Sequence, residues 1–151
     1  MKEVKAKDFL KRIRKIDMLI RNKNAEKEQW LVYATGTTMP LTEKVHSSSN
    51  GQKMENATIR YMEEIQKIDK RICELLKEKQ EKISVIEQLN EIHYDVLHKI
   101  YVQNFTFQDV ADSYEKSYST ITSIHGRALA NLQKLIDAMK EGAEWVGKLK
   151  Y

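Results

Sequence analysis

The sequence predicts an all-α protein: a long antiparallel helical hairpin with coiled-coil-like packing, followed by a C-terminal helix-turn-helix bundle. Three observations carry that prediction. Five Gly and one Pro in 151 residues are too few breakers for the many turns of an all-β fold. Two long stretches repeat apolar residues at steps of three, four and seven. The last third of the chain switches to a short helix, a three-residue turn and a longer helix.

The first helix is expected from 6 to 34, with Phe9, Ile13, Ile16 and Ile20 on one stripe and Trp30 and Leu31 closing its far end. Residues 22–29 are polar and interrupt the stripe, so good packing is expected only at the two ends. Gly36, Pro40 and Ser47-Ser48-Ser49-Asn50-Gly51 mark a Ser-rich linker over 36–52. Its composition suits a hinge, and a segment that docks on a partner is the other reading. A second helix is expected to start near Gln52, where Ser49 and Gln52 have capping-box spacing and Asn50 is an equally good cap.

Met54, Tyr61, Ile65, Ile68, Ile72, Leu75, Ile83, Ile86 and Leu89 then form a seam broken at Lys79. Antiparallel to the first helix, this seam would set Ile13 near Leu75, Ile16 near Ile72 and Ile20 near Ile68. A hairpin that buries its own stripe and a coiled coil that also forms a homodimer both fit. Cys73 beside the seam reads as filler.

From Glu91 the apolar face Tyr94, Val96, Leu97, Ile100 and Tyr101 leads to a turn at Gln103-Asn104-Phe105. Thr106 is placed to cap a short helix over 107–113, with Asp109 where a capping acid belongs. Val110 is apolar, and the small Ala111 lets a second helix cross closely. Tyr114-Glu115-Lys116 makes the turn, and Ser117 caps the next helix with Thr120 at its third position. That helix is held by Ile121, Ile124, Ala128, Leu129 and Leu132 and continues through Leu135 and Ile136. Pinning one face leaves Tyr118, Ser119, Thr122, Ser123 and Gly126 outward, with Arg127 just beyond. Small hydroxyls and a tyrosine can bond phosphates or base edges, but none is an Arg, Asn or Gln, the usual bidentate readers. Beyond Gly142, the apolar tail Trp145, Val146, Leu149 and Tyr151 is expected to fold back on the bundle or pair with another subunit.

Charge is unevenly spread. Residues 1–35 carry ten bases and five acids, 53–90 balance at eight each, and 91–137 carry four bases against six acids. The basic run Lys2 to Lys15 fits a solvated face, and a basic helix there could also track phosphates. The reading head itself, at −2, has no such help.

Other classes are set aside. No apolar run approaches the ~20 residues a membrane span needs, and the basic N-terminus has no apolar segment behind it, so neither a membrane nor a signal peptide is expected. A single cysteine cannot form an intrachain disulfide, and a cytoplasmic location is expected. His46, His93, His98 and His125 are scattered, and His93 and His98 miss the one-turn spacing of helical metal ligands. No catalytic triad or Gly-rich phosphate loop is placed, so no enzyme, metal or cofactor is expected.

The residues 105–111 (FTFQDVA), 116–121 (KSYSTI) and 124–132 (IHGRALANL) resemble region four of sigma factors. The whole of 6–136 is similar to phage and prophage proteins that join a helical N-terminal hairpin to a sigma-region-four-like end and are assigned to late transcription regulation. The linker 45–55 (VHSSSNGQKME) resembles that family's most distinctive stretch.

The resemblance implies a DNA-binding transcription regulator acting on double-stranded DNA, with contact to RNA polymerase. The base-facing residues would be Tyr118, Ser119, Thr122 and Ser123, with Ser117 and Arg127 near phosphate. Two departures stand out. Glu115-Lys116 occupies the turn where Gly and an aliphatic residue are usual, and the early Arg and Glu of sigma recognition helices are missing, so a −35 target does not follow. The domains expected are 1–90, the hairpin with its linker, and 91–151, the helix-turn-helix with its tail. Two rivals keep the fold and change the role: a small-terminase-like subunit of phage DNA packaging, and a helical protein-interaction module that never touches bases.

Overall fold

The computed structural model describes the backbone over 4–36 and 48–149, and the side chains over 4–36 and 53–142. Among the described residues five helices follow one another: α1 (Ala6–Thr35), α2 (Ser48–Ile86), α3 (Glu91–Leu97) with a π-helical extension (His98–Val102), α4 (Phe107–Tyr114) and α5 (Tyr118–Leu149). No strand occurs among the described residues, and the protein is all-α. Two compact units emerge: Met1–Ile16 with Glu78–Tyr151, and Asp17–Lys77. We call them unit 1 and unit 2; the long helices α1 and α2 each contribute to both.

Unit 1 is built around one core. Ala6, Leu10 and Ile13 of α1 meet Val85 and Ile86 of α2, Val96, Leu97, Ile100 and Tyr101 around α3, Val110 and Ala111 of α4, and Ile121, Ala128, Leu132 and Ile136 of α5. The helix ends are fixed locally. Asn90 accepts the His93 amide and starts α3, while Asn104, at φ 62°, takes the left-handed turn that Asn tolerates better than most residues. Within this unit α1 and α2 run antiparallel, as expected. Arg12 donates twice to Glu78, at 2.8 and 2.9 Å, and Lys82 Nζ lies 4.2 Å from the Phe9 ring centre. The fully buried Leu10 was absent from the expected stripe, and the Arg12–Glu78 fork ties the two helices at its edge.

Unit 2 is the two-helix part, also antiparallel. Lys27 pairs with Asp69 at 2.7 Å, and Trp30 packs on Tyr33 and Tyr61 with ring centres 5.9 and 5.6 Å apart. No residue of the 22–29 interruption is buried, and α1 nevertheless runs through it as helix. Of the expected seam, Ile65, Ile68 and Leu75 are buried but Met54 stands 70% exposed. Cys73 is exposed and fills no packing gap.

Three boundaries moved. α2 starts at Ser48, so Ser49, Asn50 and Gly51 lie inside a helix instead of capping one. It ends at Ile86, before Leu89, whose side chain turns in against the unit 1 core. At the far end α5 continues as helix through Gly142 to Leu149, where the tail was expected to fold back or pair with another subunit; an isolated Gly lowers helicity without ending it. What the tail's side chains touch falls outside the described residues, as do 37–47, with Pro40, His46 and Ser47. Gly36 closes α1 at φ 67°, its amide donating to Val32 O at 2.9 Å, an αL cap open chiefly to glycine.

Candidate nucleic-acid interface

The segment from α4 to α5 assembles through the residues the sequence marked. Thr106 Oγ1 accepts the Asp109 amide at 3.1 Å, and the Thr106 amide donates to Asp109 Oδ2 at 2.9 Å, a complete capping box. Hydrogen bonds to its carboxyl from the Thr106 amide and then from the Thr106 side chain hold Asp109 below its usual range. Glu115 ends α4 in the left-handed conformation, φ 53° and ψ 41°, and the Lys116 amide returns to Ala111 O at 3.0 Å. The turn therefore keeps the shape that glycine usually provides, with a glutamate carrying the strain. Ser117 Oγ then accepts the Thr120 amide at 3.1 Å and sits 2.7 Å from Thr120 Oγ1, capping α5.

One face of α5 is locked. Ile121, Ala128 and Leu132 are fully buried, and Ile124 and Leu129 pack half-buried against the same core. The opposite face is open. Tyr118, Ser119, Ser123, Gly126 and Arg127 are exposed, and Thr122 is half-exposed with its hydroxyl donating to Ser119 O at 2.8 Å. A Cβ added at Gly126 would meet nothing within 4 Å, so a partner's backbone can come close there. Ser117 is exposed as well, but its hydroxyl is engaged in the cap and points along the helix end.

Sequence reasoning missed His125. Its ring stacks on Tyr101 with centres 5.8 Å apart, takes the edge of Phe107 at 4.9 Å, and has Nε2 2.9 Å from Tyr101 Oη. Phe107 in turn meets Tyr118 at 5.9 Å. A line of rings thus runs from the core to the first residue of α5 and fixes the aim of Tyr118. Burial pushes the His125 pKa down, and the positive charges of Lys7 and Arg14 add to the shift, so the neutral imidazole is favoured. Burial raises the Tyr101 hydroxyl, with Arg14 opposing. The hint in the sequence was spacing, since 121, 125, 128 and 132 share one helical face. His93 is also buried, with Nδ1 3.1 Å from Asn131 Nδ2. Among the described residues no three metal-ligating side chains group together.

Residues 85–134 match the family described as Sigma-70, region 4. This stretch is similar to a sigma-70 region 4 domain. The RNA polymerase sigma factor SigO of Bacillus subtilis (strain 168) is 37% identical over 57 residues, 38% of this chain and 32% of the relative. The chain thus spans about a third of that relative's length. No solved structure matches. The match supports a DNA-binding, transcription-related role. No helix among the described residues is long and apolar enough to cross a membrane.

Proposed function

We propose that the protein is a transcription regulator of phage or prophage origin that reads duplex DNA through the amino-terminal turns of α5. The observation that carries this reading is the division of α5 itself. Ile121, Ala128 and Leu132 are sunk in the core of the region 4 domain while Tyr118, Ser119, Ser123 and Arg127 stand exposed. A helix pinned on one face and polar on the other fits a major groove. Tyr118, Ser119, Thr122 and Ser123 would meet base edges, with Ser117 and Arg127 beside phosphates.

In this reading residues 91–151 are the DNA-reading part and 1–90 the part for assembly or polymerase contact. A further surface for RNA polymerase, within the DNA-reading part itself, is a groove of 660 Å³ in unit 1, lined by Asn90, Glu91, Ile92, Tyr94, Asp95 and Tyr114. Its apolar rings, with two acids at the rim, suit an amphipathic helix of the enzyme. A homodimer would pair two weak reading heads on two half-sites. Exposed Ile59 and Met62 on α2, one turn apart, offer it apolar surface.

The test is a mobility-shift titration of the full chain on phage promoter fragments at rising salt. A salt-sensitive shift is expected, reduced in the Tyr118→Ala/Arg127→Ala double variant. Absence of any such shift sinks the DNA-reading assignment. Transcription effects that persist in the double variant would favour a polymerase-gripping module instead.

A further inference from the structure

The amino-terminal turns of α1 belong to the region 4 core, although they lie about seventy residues before it in sequence. Ala6, Leu10 and Ile13 are buried in it, the Ala6 amide donates to Gln133 Oε1 of α5 at 2.7 Å, and Gln133 Nε2 donates to Val4 O at 3.0 Å. The buried stripe has two flanks. Phe9 and Arg12, with Lys5 one turn earlier, lie on the flank facing Glu78 and Lys82 of α2. Lys7, Lys11 and Arg14, spaced four and three, lie on the other, and all three are exposed.

This second flank runs beside α5. Lys7 and Arg14 both act electrostatically on His125, which sits two turns past Tyr118 on the same helix. Arg14 is held in place: Nη2 donates to Ile100 O at 2.8 Å and the guanidinium lies 4.7 Å above the Tyr101 ring. It also lines a groove of 600 Å³ with Asn104, Thr106, Gln108 and Tyr118, where the outward face of α5 begins. A guanidinium has five N–H donors, so one backbone bond leaves donors for an anion.

The need for such charge is plain. Residues 91–137 carry a net −2, and the amino end of α4 is already filled by the Asp109 carboxylate. A duplex presents about one negative charge per 1.7 Å of its axis. The reading head would approach it with almost no attraction of its own.

We propose that Lys7, Lys11 and Arg14 form a second arm of the interface, taking the sugar-phosphate backbone of the duplex whose groove receives α5. The arm rests on the DNA-reading assignment of α5 and adds a separate, sequence-independent component to it. The interface is composite: α5 reads, and α1 supplies the positive charge.

The experiment measures binding of the full chain to a labelled mixed-sequence duplex about three helical turns long, between ~50 and ~200 mM salt. Lys7→Gln/Lys11→Gln/Arg14→Gln should flatten the slope of log affinity against log salt by about 0.9 for each phosphate that is no longer neutralised. The double variant Lys7→Gln/Lys11→Gln, which leaves the Arg14–Ile100 bond intact, should lose two thirds of that amount. Lys5→Gln, on the opposite flank, should change nothing. Slopes equal to wild type in both multiple variants overturn the arm, and so does an equal drop per charge in Lys5→Gln, which would mark net charge as the cause. Should wild type bind no duplex at any salt, the DNA-reading assignment itself falls, a result distinct from either of these.

Discussion

Units 1 and 2 are made from the same kinds of residue, yet they bury them differently. In unit 1 five helical segments cross, so each apolar stripe finds partners on several sides and fifteen buried residues form one cluster. Among the described residues unit 2 contains only parts of α1 and α2. Two helices can share a single seam, and there Ile65, Ile68 and Leu75 are buried while Met18, Tyr33, Met54, Ile59, Met62 and Leu76 are largely exposed. Its ring contacts and ion pairs are of the surface kind, among them the Trp30, Tyr33 and Tyr61 rings and the Lys27–Asp69 pair. A two-layer seam buries too little to stand far above its entropy cost, whereas a crossed bundle does not face that limit. The contrast assigns roles: unit 1 holds a surface rigid, and unit 2 keeps apolar surface available.

The most direct way to break this comparison is to cut a large apolar side chain from each unit. Leu97→Ala removes a fully buried side chain from the unit 1 cluster and should cost about 2–5 kcal/mol in urea unfolding. Trp30→Ala removes a half-exposed ring and two ring contacts from unit 2 and should cost about 1–2 kcal/mol. Amide exchange resolves where each loss falls: in α3 and α5 for the first, and around 27–35 and 58–69 for the second. Equal losses, or losses spread evenly over both units, would show that the two unfold as one body.

How much of this was legible in the sequence follows the same divide. The turn and capping residues Asn104, Thr106, Asp109 and Ser117 act over three or four residues, and local rules place them well. The buried face of α5 was equally readable, because Ile121, Ala128 and Leu132 repeat with the period of the helix. Three things were not. The docking of Ala6 and Leu10 into a core completed by residues past 85 is a long-range choice that no local pattern encodes. His125 looked like a stray histidine because its partners, Tyr101 and Phe107, lie 24 and 18 positions earlier in the chain. Met54 kept the seam's spacing yet stands 70% exposed, and periodicity reports spacing without reporting partners.

A smaller effect sharpens the comparison within unit 1. Glu115 holds φ 53° to turn α4 into α5, a conformation that costs an L-residue roughly 1–2 kcal/mol relative to the helical region. Glu115→Gly relieves that strain but enlarges the unfolded ensemble, so the net gain should be about 0.5–1 kcal/mol. Thermal unfolding of unit 1 should move up by a few degrees, and DNA affinity should stay within about twofold of wild type, because Glu115 lies in the turn and not on the outward face of α5. A loss of stability would mean that the Glu115 side chain contributes more than its backbone costs.

The smallest expected effect is a pH dependence confined to unit 1. His125 is held neutral by burial and by the neighbouring charges of Lys7 and Arg14, so its folded pKa lies below its unfolded value of about 6.5. Above that value both states are neutral and the histidine contributes no pH dependence. As the pH falls through about 6.5 the unfolded chain takes up a proton that the folded chain refuses, so stability must decline with falling pH until the folded site also protonates. The Asp109 cap works in a separate window, since its carboxyl is depressed below 3.8 and its contribution fades only in stronger acid. Thermal unfolding followed from about pH 8 to about pH 5 should therefore show a Tm that is level at first and then falls. In His125→Gln, which keeps a polar group near Tyr101 Oη and removes the titration, the slope below about pH 6.5 should flatten. If wild type and variant lose stability in parallel, the acid sensitivity belongs elsewhere, and the ring line from Tyr101 to Tyr118 is not where protons enter.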